Sequence, residues 1–307
     1  DYGINAYQKK KRAIDTNNIE QFNPRTWATS KITIIDITDR SNPVVKKEIY
    51  TEGTISSARM ISNKIYIVTS ASVFNEYLFY YKFFEDSGLN YNSIGAKEML
   101  FNAIDRLTLE DFLPKTFSVT KTDTQWNEIQ KFYVPEIYCN DNVVSIHTLD
   151  TTNVNEHNQT GIPSFYPAIY ASENSLYLAT QNYSVWFFEN LTDSYKSRTI
   201  FHKFALGISA EYKSSGLVDG YILNQFSMSE YNNNFRVATT VSEWTNNWED
   251  WNLYNNLYVL SESGSKLEVK GSITNIAPDE QLYSARFIGD KGFLVTFEMI
   301  DPLFAID

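Results

Sequence analysis

One segment occurs twice, near opposite ends of the chain, and it constrains the fold more than any other feature. ISSARMISNKIYIVT (55–69) returns as LYSARFIGDKGFLVT (282–296). Each reads as a strand, a tight turn and a second strand. The shared elements are Ser-Ala-Arg, an apolar pair, a polar turn and an apolar run ending in Thr. Two looser copies lie between them, AIYASENSLYLAT (168–180) and FSMSEYNNNFRVAT (226–239). Their turns, SNK, GDK, SEN and YNNN, carry the Gly, Asn, Asp and Ser residues that hairpins need.

A further strand follows each hairpin. Its copies are ITIIDITD (32–39), VVSIHTLD (143–150), TIFHKFAL (199–206), NNLYVLSE (255–262) and PLFAID (302–307). The spacings agree. Thr69 to Thr180 is 111 residues, Thr180 to Thr239 is 59, and Thr239 to Thr296 is 57. In the following strand, Asp36 to His147 is again 111, His147 to His202 is 55, and His202 to Leu260 is 58. A module of about 55 residues, interrupted once between Thr69 and Val143, explains both values of 111. Several strands in such a module match one four-stranded propeller blade. IYIVT, LYLAT and FLVTF are apolar throughout, so both faces of these strands are expected to be buried, as in stacked blades. A half-solvated antiparallel sheet would alternate. A parallel α/β sheet would need a helix between its strands, and the connections here are short turns.

The expectation is an all-β propeller or partial propeller of about four to five four-stranded blades. Residues 1–307 form one domain, a fragment of a larger one, with a partly helical insertion over 74–140. In that insertion Ala96, Met99, Leu100, Ala103, Ile104 and Leu107 recur at helical spacing. Thr108 and Asp111 suit a cap, and Pro114 suits a stop.

Several stretches resemble a family of secreted prokaryotic proteins, many of them archaeal, with a C-terminal β-propeller distantly related to WD repeats. They are VDGYILNQFSMSEYNNNFRVATT (218–240), the run from Asn255 to Asp307, and ITIIDITDRSNP (32–43). The resemblance is dense over 199–307 and clear over 30–70, and the insertion matches poorly. It implies an exported propeller with no established activity, and it supplies no catalytic residues.

Charge narrows the function. The net charge is −11, with 26 Lys and Arg against 37 Asp and Glu. That argues against nucleic-acid binding, which requires a basic face. No run of about 18 apolar residues predicts a membrane span. The single cysteine, Cys139, excludes an intramolecular disulfide and has no nucleophile signature around it. No Gly-x-Ser-x-Gly, His-Glu-x-x-His, Walker or dinucleotide motif occurs. No metal or cofactor is expected, and DTTNVNEHN (150–158) lacks the spacing of a calcium loop.

Four groups of residues remain. Trp244, Trp248 and Trp251 are spaced by four and three, which one helical turn would bring to one face. They suit stacking on a sugar or peptide, or burial of the loop on the blade edge. Arg59 and Arg286 recur in one hairpin position, and Asp36 and Asp307 in the next strand, so Arg–Asp pairs tying strands together are expected. His147 and His202 sit alike in successive modules, as strand histidines bonded to backbone or as a converging pair. The sequons at Asn158, Asn182 and Asn190 are as many as chance supplies. The functional expectation is an extracellular or cell-surface scaffold, non-catalytic, binding protein or glycan through its loops. The alternative is a secreted hydrolase with loop carboxylates at the central channel.

Overall fold

A computed structural model describes residues 26, 28–73, 76–90, 92–120, 124–136, 142–165, 167–181, 194–245, 251–297 and 303–307. The first elements among the described residues are β1 (Thr29–Asp36) and β2 (Val44–Glu52), an antiparallel pair. Four repeats of one pattern follow. The first is β3 (Thr54–Ile61), β4 (Lys64–Ala71), β8 (Val143–Asp150) and β9 (His157–Pro163), paired in that order. The second is β10 (Ala168–Ala171), β11 (Ser175–Gln181), β13 (Arg198–Ala205) and β14 (Glu211–Asp219). The third is β15 (Met228–Tyr231), β16 (Asn234–Thr245), β17 (Trp251–Ser263) and β18 (Lys266–Ile276). The fourth is β19 (Gln281–Ile288), β20 (Lys291–Phe297) and β21 (Leu303–Ile306).

Thr69, Thr180, Thr239 and Thr296 therefore all lie on the second strand of a sheet, between a first and a third. All four are buried. The two closest sequence copies also share a backbone irregularity. The β3–β4 register shifts between Ile55 and Ser57, and the β19–β20 register shifts between Leu282 and Ser284, the matching residues. Asn232 and Asn233 turn β15 into β16 with φ of 49° and 60°, the left-handed values that a two-residue hairpin needs.

The sheets stack face to face, as blades do. Ile67 packs with Leu149 and Ile49 of β2, while its neighbour Val68 packs with Leu176 and Leu178 of the next sheet. Tyr177 and Ala179 meet Phe235 and Val237, while Ala238 turns the other way to Leu282 and Leu294. Adjacent residues of one strand thus serve two different seams. This is why the second strands are apolar throughout instead of alternating. At the centre of one seam the Tyr177 and Phe235 rings stack at 4.1 Å, with Phe201 edge-on to Phe235.

Between β4 and β8 lie three helices among the described residues: α1 (Glu76–Ser87), α2 (Ala96–Ile104) and α3 (Leu109–Phe112). The Asp111 carboxylate accepts both the backbone N–H and the hydroxyl of Thr108 ahead of α3. The same stretch contributes strands. β5 (Thr116–Thr120) and β6 (Thr124–Asn127) extend the β1–β2 sheet outward, and β7 (Lys131–Phe132) lies parallel to β9. The excursion out of one sheet thus supplies the outer strands of its neighbour. No helix of the described residues is long and apolar enough to cross a membrane.

The ladders correct one alignment. Thr180 faces Ile200 and Thr239 faces Asn256, so His202 corresponds to Tyr258, not to Leu260. Asp36 corresponds to Asp150 instead of His147, because the two close their strands alike. Each accepts the backbone N–H and the hydroxyl of the threonine two residues on.

Candidate functional site

β16 and β17 are 12 and 13 residues long, against 7 and 8 for β11 and β13. The excess projects as a two-stranded ribbon beyond the Tyr221–Thr240 bridge, ending on the pair Trp244↔Trp251. β12 (Ser194–Lys196), from the preceding module, lies along its other edge and pairs with Glu243–Thr245. The two indoles stack with centroids 5.7 Å apart and planes 19° from parallel. Trp251 donates its ring N–H to Ser242 Oγ at 2.8 Å, which fixes the ring although it is 55% exposed. Behind it the Glu243 carboxylate takes the Tyr254 hydroxyl and the Lys196 ammonium. The expectation of a shared helical face is corrected here. Trp244 and Trp251 adjoin because they are directly opposed across a hairpin, where side chains approach closely. Trp248 lies outside the described residues.

A pocket of about 180 Å³ opens at the foot of this ribbon, between Ala179, Gln181, Thr199 and Tyr221. Tyr221 is also the residue that bridges to Thr240, where the ribbon leaves the sheet.

Arg59 and Arg286 do not meet Asp36 and Asp307. Both instead converge on one 3₁₀ turn, Gln225–Ser227, which precedes the first strand of the third sheet. Arg59 Nη2 donates to Gln225 Oε1 at 2.5 Å, and the Arg286 guanidinium lies 3.9 Å from the Phe226 ring centroid. Each arginine also donates Nη1 to the carbonyl before it, Ala58 or Ala285. The carboxylates take lysines. Asp36 pairs with Lys46 at 3.1 Å, Asp150 with Lys64 at 2.6 Å, and Asp307 with Lys291. Register is the cause, since β4 and β8 set Lys64 directly opposite Asp150 while Arg59 stands opposite Tyr66 on the first strand. The recurring ion pair of the modules is therefore Lys–Asp, and the recurring arginine instead ties its module to the turn ahead of the third sheet.

The histidines are bound to side chains, not to backbone. His147 is fully buried, with Nε2 3.1 Å from Thr69 Oγ1 and Nδ1 3.1 Å from His157 Nε2. His202 Nδ1 lies 3.4 Å from the Tyr212 hydroxyl. Burial pushes the imidazole of His147 down to about 3 and that of His202 down to about 4. His157 is pushed to about 4 by burial and then by the charge of Lys47. His147 and His202 do not converge. His147 faces the β1–β2 sheet, while His202, two residues from Phe204, faces the β8 side. Among the described residues no three of His, Cys, Asp and Glu are grouped to hold a metal ion. Cys139, Asn182 and Asn190 lie outside the described residues.

A match to the family described as "Beta propeller domain" spans residues 3–307. The chain belongs to that family. Over 140 residues, 45% of its length, the propeller is 41% identical to an uncharacterised protein of Archaeoglobus fulgidus. Over 93 residues, 30% of its length, it is 44% identical to an uncharacterised protein of Methanocaldococcus jannaschii. The matches span only 20% and 14% of those relatives' own lengths.

Proposed function

We propose that this propeller is a non-catalytic scaffold that works outside the cell or on its surface and binds a glycan or protein ligand through its projecting ribbon. The observation that carries the reading is the Trp244–Trp251 stack. It presents a broad apolar indole face to solvent, on a hydrogen-bonded two-stranded ribbon, with the Trp251 N–H already satisfied. Such a surface suits sugar rings or aromatic and proline side chains, and the stacked, hydrogen-bonded Trp251 ring is already held in place for them. The pocket beside Tyr221 gives a bound chain a second place to rest. The resemblance to exported proteins supports the location.

Arrays of glycans and of extracellular protein fragments, probed in parallel with the wild type and Trp251→Ala, test this. The expected result is a set of wild-type signals that the variant loses while its thermal unfolding stays cooperative. Equal binding by both proteins, or none by either, would overturn the reading.

A further inference from the structure

The pocket at the foot of the ribbon has a chemistry that narrows the ligand. Its volume is about 180 Å³, Phe165, Ala168, Ala179 and Ile222 give it apolar walls, and no charged side chain lines it. Thr199 Oγ1 donates to the Gly220 carbonyl at 2.6 Å, so its hydrogen is already used on the backbone that leads to Tyr221. The Tyr221 hydroxyl makes no hydrogen bond among the described residues, and burial alone pushes its pKa up. An O–H donor without a protein partner therefore stands in the wall of a largely apolar cavity. The ribbon above the pocket has both strand edges engaged. β12 pairs along β16, and on the far side Asp279 donates its backbone N–H to the Leu253 carbonyl at 2.7 Å.

These features sort the ligand classes. A phosphate or carboxylate would call for a cation, and none lines the pocket. An unmodified sugar ring carries hydroxyls on every side, and the apolar walls would leave most of them unpaired. A hydrocarbon group would strip water from the Tyr221 hydroxyl and give it no acceptor. A peptide that binds by adding a strand needs a free sheet edge, and the engaged ribbon edges work against that mode. What fits is a small group with a methyl at one end and a single carbonyl acceptor at the other. We propose that the pocket takes the acetamido group of an N-acetylated hexosamine, within a short glycan whose rings stack on the Trp244–Trp251 pair. The methyl packs on Ala168 and Ala179, and the carbonyl accepts the Tyr221 O–H. Tyr221 bridges to Thr240, and Trp244 stands four residues farther along β16, a rise of about 14 Å that a short oligosaccharide spans. The inference rests on the ribbon as the ligand-binding surface and adds the chemical class of the ligand.

Titration calorimetry of the whole chain with tri-N-acetylchitotriose and with cellotriose tests it, since both trimers are neutral and the acetamido groups are absent from the second. The acetylated trimer should bind about tenfold tighter or more. Tyr221→Phe, which removes only the hydroxyl, should weaken it about tenfold and leave cellotriose unchanged. Ala168→Leu, which fills the pocket, should abolish the preference. Cooperative thermal unfolding checks that each variant folds, and should Ala168→Leu fail, Tyr221→Phe carries the comparison. Equal affinity for the two trimers, a preference that persists in the folded variants, or no binding of either would overturn the assignment. Trimer binding that is indifferent to acetylation yet lost in Trp251→Ala would overturn the pocket's role alone and leave the ribbon as the binding surface.

Discussion

Thr239 donates its hydroxyl hydrogen to the carbonyl of Asp219 at 2.8 Å, and this bond fixes the chain where it passes from one blade to the next. The residue between them in the fold is Gly220, with φ of +96°. A Cβ there would stand 2.6 Å from Thr239 Oγ1 and 2.8 Å from the Thr240 carbonyl. Gly220→Ala is expected to cost about 3 kcal/mol, combining left-handed strain with a backbone clash. Gly271→Ala, which would meet nothing within 4 Å, should change stability by less than about 0.5 kcal/mol. Urea unfolding of the two variants checks this, and similar midpoints would contradict it.

Arg59 and Arg286 act on adjacent residues of one turn. Truncating either to Ala should cost about 1 kcal/mol, from a charge-assisted hydrogen bond in one case and a guanidinium–ring contact in the other. Because both hold Gln225–Phe226, the double variant should depart from additivity by about 0.5 kcal/mol or more. Asp36→Asn and Asp307→Asn should be additive with both. A double-mutant cycle that couples Arg59 to Asp36, and not to Arg286, would restore the Arg–Asp pairing.

The three histidines make stability depend on pH in a defined window. Their folded values are depressed to about 3, 4 and 4. The unfolded chain binds protons near its ordinary value of about 6.5, so it takes them up first as pH falls. Their contribution is complete above that value and is lost progressively on acidification. Between pH 6.5 and 5 the loss is on the order of 2 kcal/mol per histidine. Asp36 and Asp150, held well below the usual carboxylate range by threonine and lysine donors, add their loss only below about pH 4. Urea unfolding across that range should show the fall, and His157→Gln should reduce its slope. Stability that is flat between pH 6.5 and 5 would contradict the buried, neutral imidazoles.

The propeller was legible because its signals are local. Period, turn residues and unbroken apolar runs lie in short segments, and Thr69, Thr180, Thr239 and Thr296 mark one position in each blade. What escaped depends on register and on chain-distant pairing. Trp244 and Trp251 were visible, but a spacing of seven fits a helix face as well as a hairpin rung. Arg59 and Arg286 were visible as a recurring pair, yet only the ladders show that lysine reaches the aspartates. β5 and β6 gave no sign that they extend a sheet begun at Thr29, 87 residues before Thr116. Lys47 follows Lys46 in a run that reads as a solvated strand, and one residue of register buries the second lysine and leaves the first outside. His157 stood in a polar segment, and its partnership with His147 is a cross-strand relation.

Hydrogen exchange in the presence and absence of a ligand found on the arrays locates recognition most directly. Added protection is expected over Val241–Thr245 and Trp251–Tyr254, along the ribbon and its foot near Tyr221, with Gln225–Ser227 unchanged. Protection centred instead on Gln225–Ser227 and the strands carrying Arg59 and Arg286 would overturn this reading, and would move the binding surface to that turn.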